Sequence, residues 1–197
     1  MSNMLQDGTG GGNFQEVDKN NNAHTYSITV SESVSATING DGYILSTGIK
    51  TITNDTDNYL HYIKNDSAMD LVISETIFTL GSSTGGASDE VTFLGRLNPT
   101  AGTIISAGLS YSPFNTNLGS SNTFDGTSQL ATSLELTATG GTQADGLITT
   151  AGRIIFNTPI IIPKGSSLAG GIKCDTGNTS QLCSIGYVVY FRDKDIS

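Results

Sequence analysis

Tyr187-Val188-Val189-Tyr190-Phe191 is an unbroken run of aromatic and β-branched residues, the strongest β signal in the chain. Such side chains are stiff at χ1 and fit a pleated sheet surface better than a helix. The run lies within a longer predicted strand, Leu182–Arg192. Ser167–Lys173 and Arg153–Ile162 precede it, joined to each other by the turn residues Pro163-Lys164-Gly165. Further upstream, Val91–Leu97 and Thr103–Ser110 flank Asn98-Pro99-Thr100-Ala101-Gly102, whose Pro and Gly suit a turn. Leu71–Leu80 is rich in Ile, Val and Phe. Tyr59–Lys64 alternates, with Leu60 and Tyr62 on one face and His61 and Ile63 on the other.

Tyr43–Thr53 alternates around a break at Gly48. His24–Val30 carries Tyr26, Ile28 and Val30 at strand spacing, and Leu130–Thr139 alternates imperfectly. Asn54–Asn58 and Asn65-Asp66-Ser67 are turn clusters, and Gly81–Ser88 and Pro113–Thr127 are loops. The pattern amounts to about nine or ten short strands at the spacing of sandwiches and barrels. No segment keeps a helical period over three turns, and Gly119–Gln129 is the one stretch with room for a helical turn. The expected fold is all-β, an antiparallel two-sheet sandwich of jelly-roll type without internal repeats.

Residues 1–22 differ from the rest. Asp7-Gly8-Thr9-Gly10-Gly11-Gly12-Asn13 and Asp18–Asn22 are polar and glycine-rich, so ordering them carries a high entropy cost. The expected organisation is an extended arm over 1–22 and a β-sandwich domain over 23–197. Phe14 and Val17 are the arm's apolar anchors. With Asp18 they are the residues expected to contact a partner, by adding to a neighbour's sheet edge.

A chain of 197 residues fits one domain with an arm. Charged residues make up only 14%, and Ser, Thr, Asn and 24 Gly carry the polar balance, as in an all-β protein with many turns. Net charge is −9 and the nine Lys and Arg are scattered, which excludes phosphate-driven nucleic-acid binding. Residues 1–20 lack a basic segment followed by an apolar one, so no secretory signal is expected and folding is expected in a cytoplasm. The most apolar run, Ile154–Ile162, is broken by Asn157 and Pro159 and is too short to span a membrane. The Asn-x-Ser/Thr triplets at Asn54, Asn65 and Asn178 are read as loop polarity.

Cys174 and Cys183 flank a hairpin-like connection and are expected to be free thiols in a reducing compartment. A disulfide between them would close a short loop, worth roughly 2–3 kcal/mol.

Catalytic signals are weak. Gly81-Ser82-Ser83-Thr84-Gly85 matches G-x-S-x-G, but no helix-forming sequence follows, and both histidines, His24 and His61, precede it. The histidines show no zinc spacing. Asp55 and Asp57 open like a calcium loop but lack its glycine and distal glutamate. Glu75, Asp89, Glu90 and Glu135 bracket no evident sugar cleft, and the chain has no Trp to stack on a sugar. Tyr43, Tyr59, Tyr62, Tyr111 and Tyr187 are read as core or cross-strand residues. No enzyme activity, cofactor or metal is expected.

Several short motifs carry a family resemblance. Asp7-Gly8-Thr9-Gly10 is followed by Val17-Asp18-Lys19-Asn20-Asn21 and His24-Thr25. Tyr62-Ile63-Lys64-Asn65-Asp66 precedes Asp70-Leu71-Val72-Ile73, and Ile162-Pro163-Lys164-Gly165-Ser166-Ser167-Leu168 follows later. Together they resemble small β-sandwich virion structural proteins of tailed bacteriophages, with Asn22-Ala23 where an Arg-Leu type pair is frequent. The resemblance implies a virion location, often a trimer, and a head decoration (cement) role with the major capsid protein and further copies of the chain as partners. From the scattered cations and the lack of an apolar span, neither nucleic acid nor membrane is expected as a partner. The alternatives are a tail, baseplate or fibre component in host recognition, using the loops Gly81–Ser88 and Pro113–Thr127, and a carbohydrate-binding jelly roll.

Overall fold

The computed structural model describes residues 3–6, 14–17, 23–24, 31–52, 56–84, 91–132, 136–148, 152–156, 158–174 and 180–193. The chain forms two compact units, Met1–Ser31 and Glu32–Ser197. In the first, β1 (Asn3–Gln6), β2 (Phe14–Val17) and β3 (Ala23–His24) form an antiparallel sheet in that order. Asn3 faces Val17, Gln6 faces Phe14, and Glu16 faces His24. The described residues of the segment expected to run extended therefore pair with one another. In the sequence the apolar residues of 1–22 fall on either side of the glycine-rich stretch 7–13, and the flanks Asn3–Gln6 and Phe14–Val17 pair antiparallel. The expected boundary after residue 22 falls inside this unit, and residues 25–30 of the expected strand His24–Val30 lie outside the described residues.

The second unit begins with α1 (Glu32–Asn39), β4 (Gly42–Ser46), β5 (Lys50–Ile52), β6 (Asn58–Asn65), β7 (Asp70–Thr84) and β8 (Val91–Leu97). Next come α2 (Thr103–Ser106), β9 (Leu109–Ser110), β10 (Phe114–Asn115), β11 (Gly126–Leu130), β12 (Thr142–Gln143) and β13 (Gly146–Ile148). The unit ends with β14 (Gly152–Phe156), β15 (Ile160–Ile162), β16 (Ser167–Cys174) and β17 (Ser180–Arg192). Among the described residues one sheet runs β10-β4-β17-β7-β14, with β5 also on β17 and β15 also on β7. The other runs β12-β8-β16-β6-β11-β9, with β13 also on β8.

The two antiparallel sheets pack face to face as a sandwich, and the pairings nest. β4 and β5 pair with β17, β6 with β16, β7 with β14 and β15, and β8 with β12 and β13. First strands thus meet last ones and middle strands meet each other, the wrapped double ribbon of a jelly roll. The segment 98–141 is an insertion in this scheme. It adds β10 to the edge of the first sheet at β4, and β11 with β9 to the edge of the second at β6.

β17 shows why the run quoted at the outset decides the fold. Cys183, Ile185, Tyr187, Val189 and Phe191 are buried, whereas Leu182 is exposed and Ser184 and Val188 are half-buried. This is the period of a strand facing a core on one side. Each large buried side chain contributes about 1.5–3 kcal/mol. β6 breaks the alternation, because every residue except half-buried Lys64 is buried. The insertion accounts for this: α2 packs on β6, Tyr59 donates its backbone N–H to the Leu136 carbonyl at 2.9 Å, and Ile104 of α2 is buried.

Several elements differ from expectation. Thr103–Ser110 is a one-turn helix followed by a two-residue strand, not one strand. Thr103 and Thr137 exchange backbone-to-hydroxyl hydrogen bonds at 3.2 and 2.8 Å, which overrides the β preference of Thr-Ile-Ile. Leu130 ends β11, and the described part of the expected strand Leu130–Thr139 is irregular apart from a bridge from Thr139 to Ala101. The loop Pro113–Thr127 contains β10 and the start of β11, and the described Gly119–Gln129 holds no helix. Gly81–Thr84, expected in a loop, extends β7, while residues 85–88 lie outside the described residues. Helix α1 has no counterpart in the sequence reading. It ends in a glycine cap: Gly40, at φ 82°, donates to the Thr37 carbonyl and Asp41 to that of Ala36.

Candidate functional site

Phe14 and Val17 lie in β2 of the N-terminal unit, and Asp18 lies outside the described residues. Ser83, centre of the G-x-S-x-G match, is within β7 opposite Gln181 of β17, an extended strand rather than a strand-to-helix turn. His24 is in β3, and His61 is buried in β6. Asp55, Asp89, Glu90 and Glu135 lie outside the described residues. Asp57 approaches Lys173 Nζ at 4.0 Å. No group of three or more His, Cys, Asp and Glu gathers around a metal-sized space among the described residues, and no described helix is long and apolar enough to cross a membrane. Tyr43, Tyr59, Tyr62 and Tyr187 are buried and Tyr111 is half-buried. Asn65 is buried too, its amide donating to the Met69 and Ile162 carbonyls at 2.8 Å each, so this triplet is a structural clamp.

Cys174 and Cys183 are buried free thiols. They belong to β16 and β17, which lie in different sheets, so the connection between them is a crossover and not a hairpin. Burial raises the Cys174 thiol to about 11. Burial, with a further push from Cys174, raises Cys183 to about 12. Both are therefore poor nucleophiles.

Two features of the sandwich stand out. The first is an apolar surface on neighbouring elements. Ile44 of β4 faces Phe114 of β10 in register, and Asn117 Nδ2 donates to the Ile38 carbonyl of α1 at 2.9 Å. Ile44 is 41% exposed, Phe114 55%, Ile38 65% and Leu118 83%.

The second is a cavity of about 300 Å³ between the sheets, on the side where β12–β13 and β14–β15 form the edges. Phe78, Phe93, Leu97, Ile160 and Leu168 supply most of its apolar wall. Phe78 and Phe93 meet edge to face across the sheets, their ring centres 4.8 Å apart. Tyr187 also lines it, with only 1% of its surface exposed and no hydrogen-bond partner for its hydroxyl.

Gly170 of β16 makes room for that hydroxyl, since a Cβ there would collide with it. His61 faces Gly170 across the ladder, and its ring centre is 5.1 Å from that of Tyr187. His61 Nε2 is 3.4 Å from Ser128 Oγ, and its Nδ1 has no partner. Burial lowers the His61 pKa to about 3 and raises that of Tyr187. At neutral pH the imidazole is therefore uncharged and the phenol keeps its proton. The sequence assigned Tyr187 to strand and core. Its orphaned hydroxyl depends on a register with another sheet, for which no local signal exists.

No protein-family model matches the chain, and no curated protein matches it.

Proposed function

We propose that the protein is a structural component of a bacteriophage particle, a decoration protein whose jelly-roll body sits on the shell and whose N-terminal unit docks onto the major capsid protein. The observation that carries this reading is the separate unit Met1–Ser31 with its sheet of very short strands. A unit this small buries too little apolar surface to be stable by itself, and a partner's surface supplies what is missing. The phage-like motifs and the apolar surface around Phe114 and Leu118 support it further. The action is mechanical: burial spread over many copies resists internal pressure, and trimers of the body multiply the attachment.

The test is deletion of residues 1–31, the whole N-terminal unit, followed by sedimentation with purified shells. The expected result is a folded body that stays in the supernatant while the full chain pellets. Undiminished binding by the truncated chain overturns the docking role. Copy number in purified particles separates a shell protein, at hundreds per particle, from a tail component present in a handful.

A further inference from the structure

The cavity between the sheets is lined entirely by residues of the second unit and is separate from the apolar outer surface. A buried hydroxyl without an acceptor is destabilising, and Phe at position 187 would fill the same space without that cost. We propose that this cavity binds a small neutral amphiphile, with its apolar body between Phe78, Phe93, Leu168 and Ile160 and one carbonyl or hydroxyl oxygen accepting a hydrogen bond from Tyr187. The site is independent of the particle reading above.

The geometry sets the ligand class. An apolar cavity of about 150 Å³ holds benzene, so one of about 300 Å³ takes about a dozen heavy atoms. No lining residue carries a charge, and His61, behind Tyr187, is held neutral. A carboxylate at the floor would lose its hydration with no cation to face it, so the polar end is uncharged. Access is from the edge, where Ala144, Gly146 and Thr158 are exposed at the rim.

The experiment is calorimetric titration of the full chain with 2-nonanone, nonane and nonanoate. The ketone is expected to bind saturably, one per chain, with Kd of about 10–100 μM for a ligand of this size. Nonane, lacking the acceptor, is expected to bind about tenfold more weakly. Tyr187→Phe keeps the ring and should bring the ketone down to the level of nonane while leaving nonane unchanged. Gly146→Trp at the rim, where a new side chain meets open space, should block both. Equal ketone affinity in Tyr187→Phe overturns the assigned donor, and tighter binding of nonanoate overturns the neutral class. No saturable ketone binding overturns the proposal and leaves the cavity to a partner protein's side chain.

Discussion

A jelly roll has two lateral openings between its sheets, and this one treats them differently. On the side of β4 and β6, the insertion adds β10 to one sheet and β11 to the other. Phe124 from the insertion packs on Tyr43 and Phe191 at 5.4 Å each, and Lys50 of β5 donates to the Ala131 carbonyl at 2.9 Å. On the side of β12–β15, which edge the two sheets, the described residues add no such cover, and the cavity remains. Both sides have the same kind of strands behind them. What differs is a long connection against short ones. A sandwich side is closed by chain devoted to closing it, and a side without such chain keeps a space with a defined lining.

The sharpest way to break that contrast is truncation on the closed side. Tyr43→Ala removes the ring on which Phe124 and Phe191 rest and should cost about 4 kcal/mol in urea unfolding. A loss below about 1 kcal/mol would mean that the insertion does not seal the core.

Acid is the next lever, and it acts on the buried histidine of β6, beside β11 of the insertion. His61 titrates near 6.5 when unfolded and at about 3 when folded. Below the unfolded value the unfolded chain takes up a proton that the folded chain refuses, so stability is complete above pH 6.5 and falls as pH drops towards 3. The slope is about 1.4 kcal/mol per pH unit, or about 3 kcal/mol by pH 4. Unfolding measured at pH 7 and pH 4 should show this loss, and His61→Gln should remove it. A variant as acid-sensitive as the parent would place the titrating group elsewhere.

Phe93→Ala on the cavity wall should cost about 2 kcal/mol, less than Tyr43→Ala, because part of that ring already faces open space. Equal costs at the two positions would erase the distinction between the sides. The smallest effect is the most pointed. Tyr187→Phe should leave the free protein as stable or raise it by up to about 1 kcal/mol, since it deletes an unpaired buried hydroxyl. A clear loss in thermal melting would show that the hydroxyl is already satisfied.

Most long strands were legible from local pattern. Val91–Leu97 has the bounds expected of it, and Tyr43–Thr53 breaks at Gly48 into β4 and β5. What escaped was decided by distant chain. Thr103-Ile104-Ile105 has strand-like residues, yet Thr137 captures its first turn into a helix. Leu60 and Tyr62 occupy the alternate face of β6 and are buried like their neighbours, because the insertion covers them. Helix α1 is too short for a period to emerge, and its best signal was the glycine at its end, Gly40. The cavity was illegible for the same reason: Tyr187, Gly170 and Phe93 belong to three strands and meet only once two sheets are stacked.

The nested pairing also constrains how the molecule can be made. β17 lies at the middle of its sheet, bonded to β4 and β5 on one side and β7 on the other, yet it is translated after all of them. A nascent chain paused anywhere before Ser180 holds β4 and β7 as strands whose shared neighbour does not yet exist. Contacts this remote in sequence form slowly. The central pairing of this sheet can therefore form only after the rest of the body has been made, and until then the facing edges of β4 and β7 lack the strand that joins them.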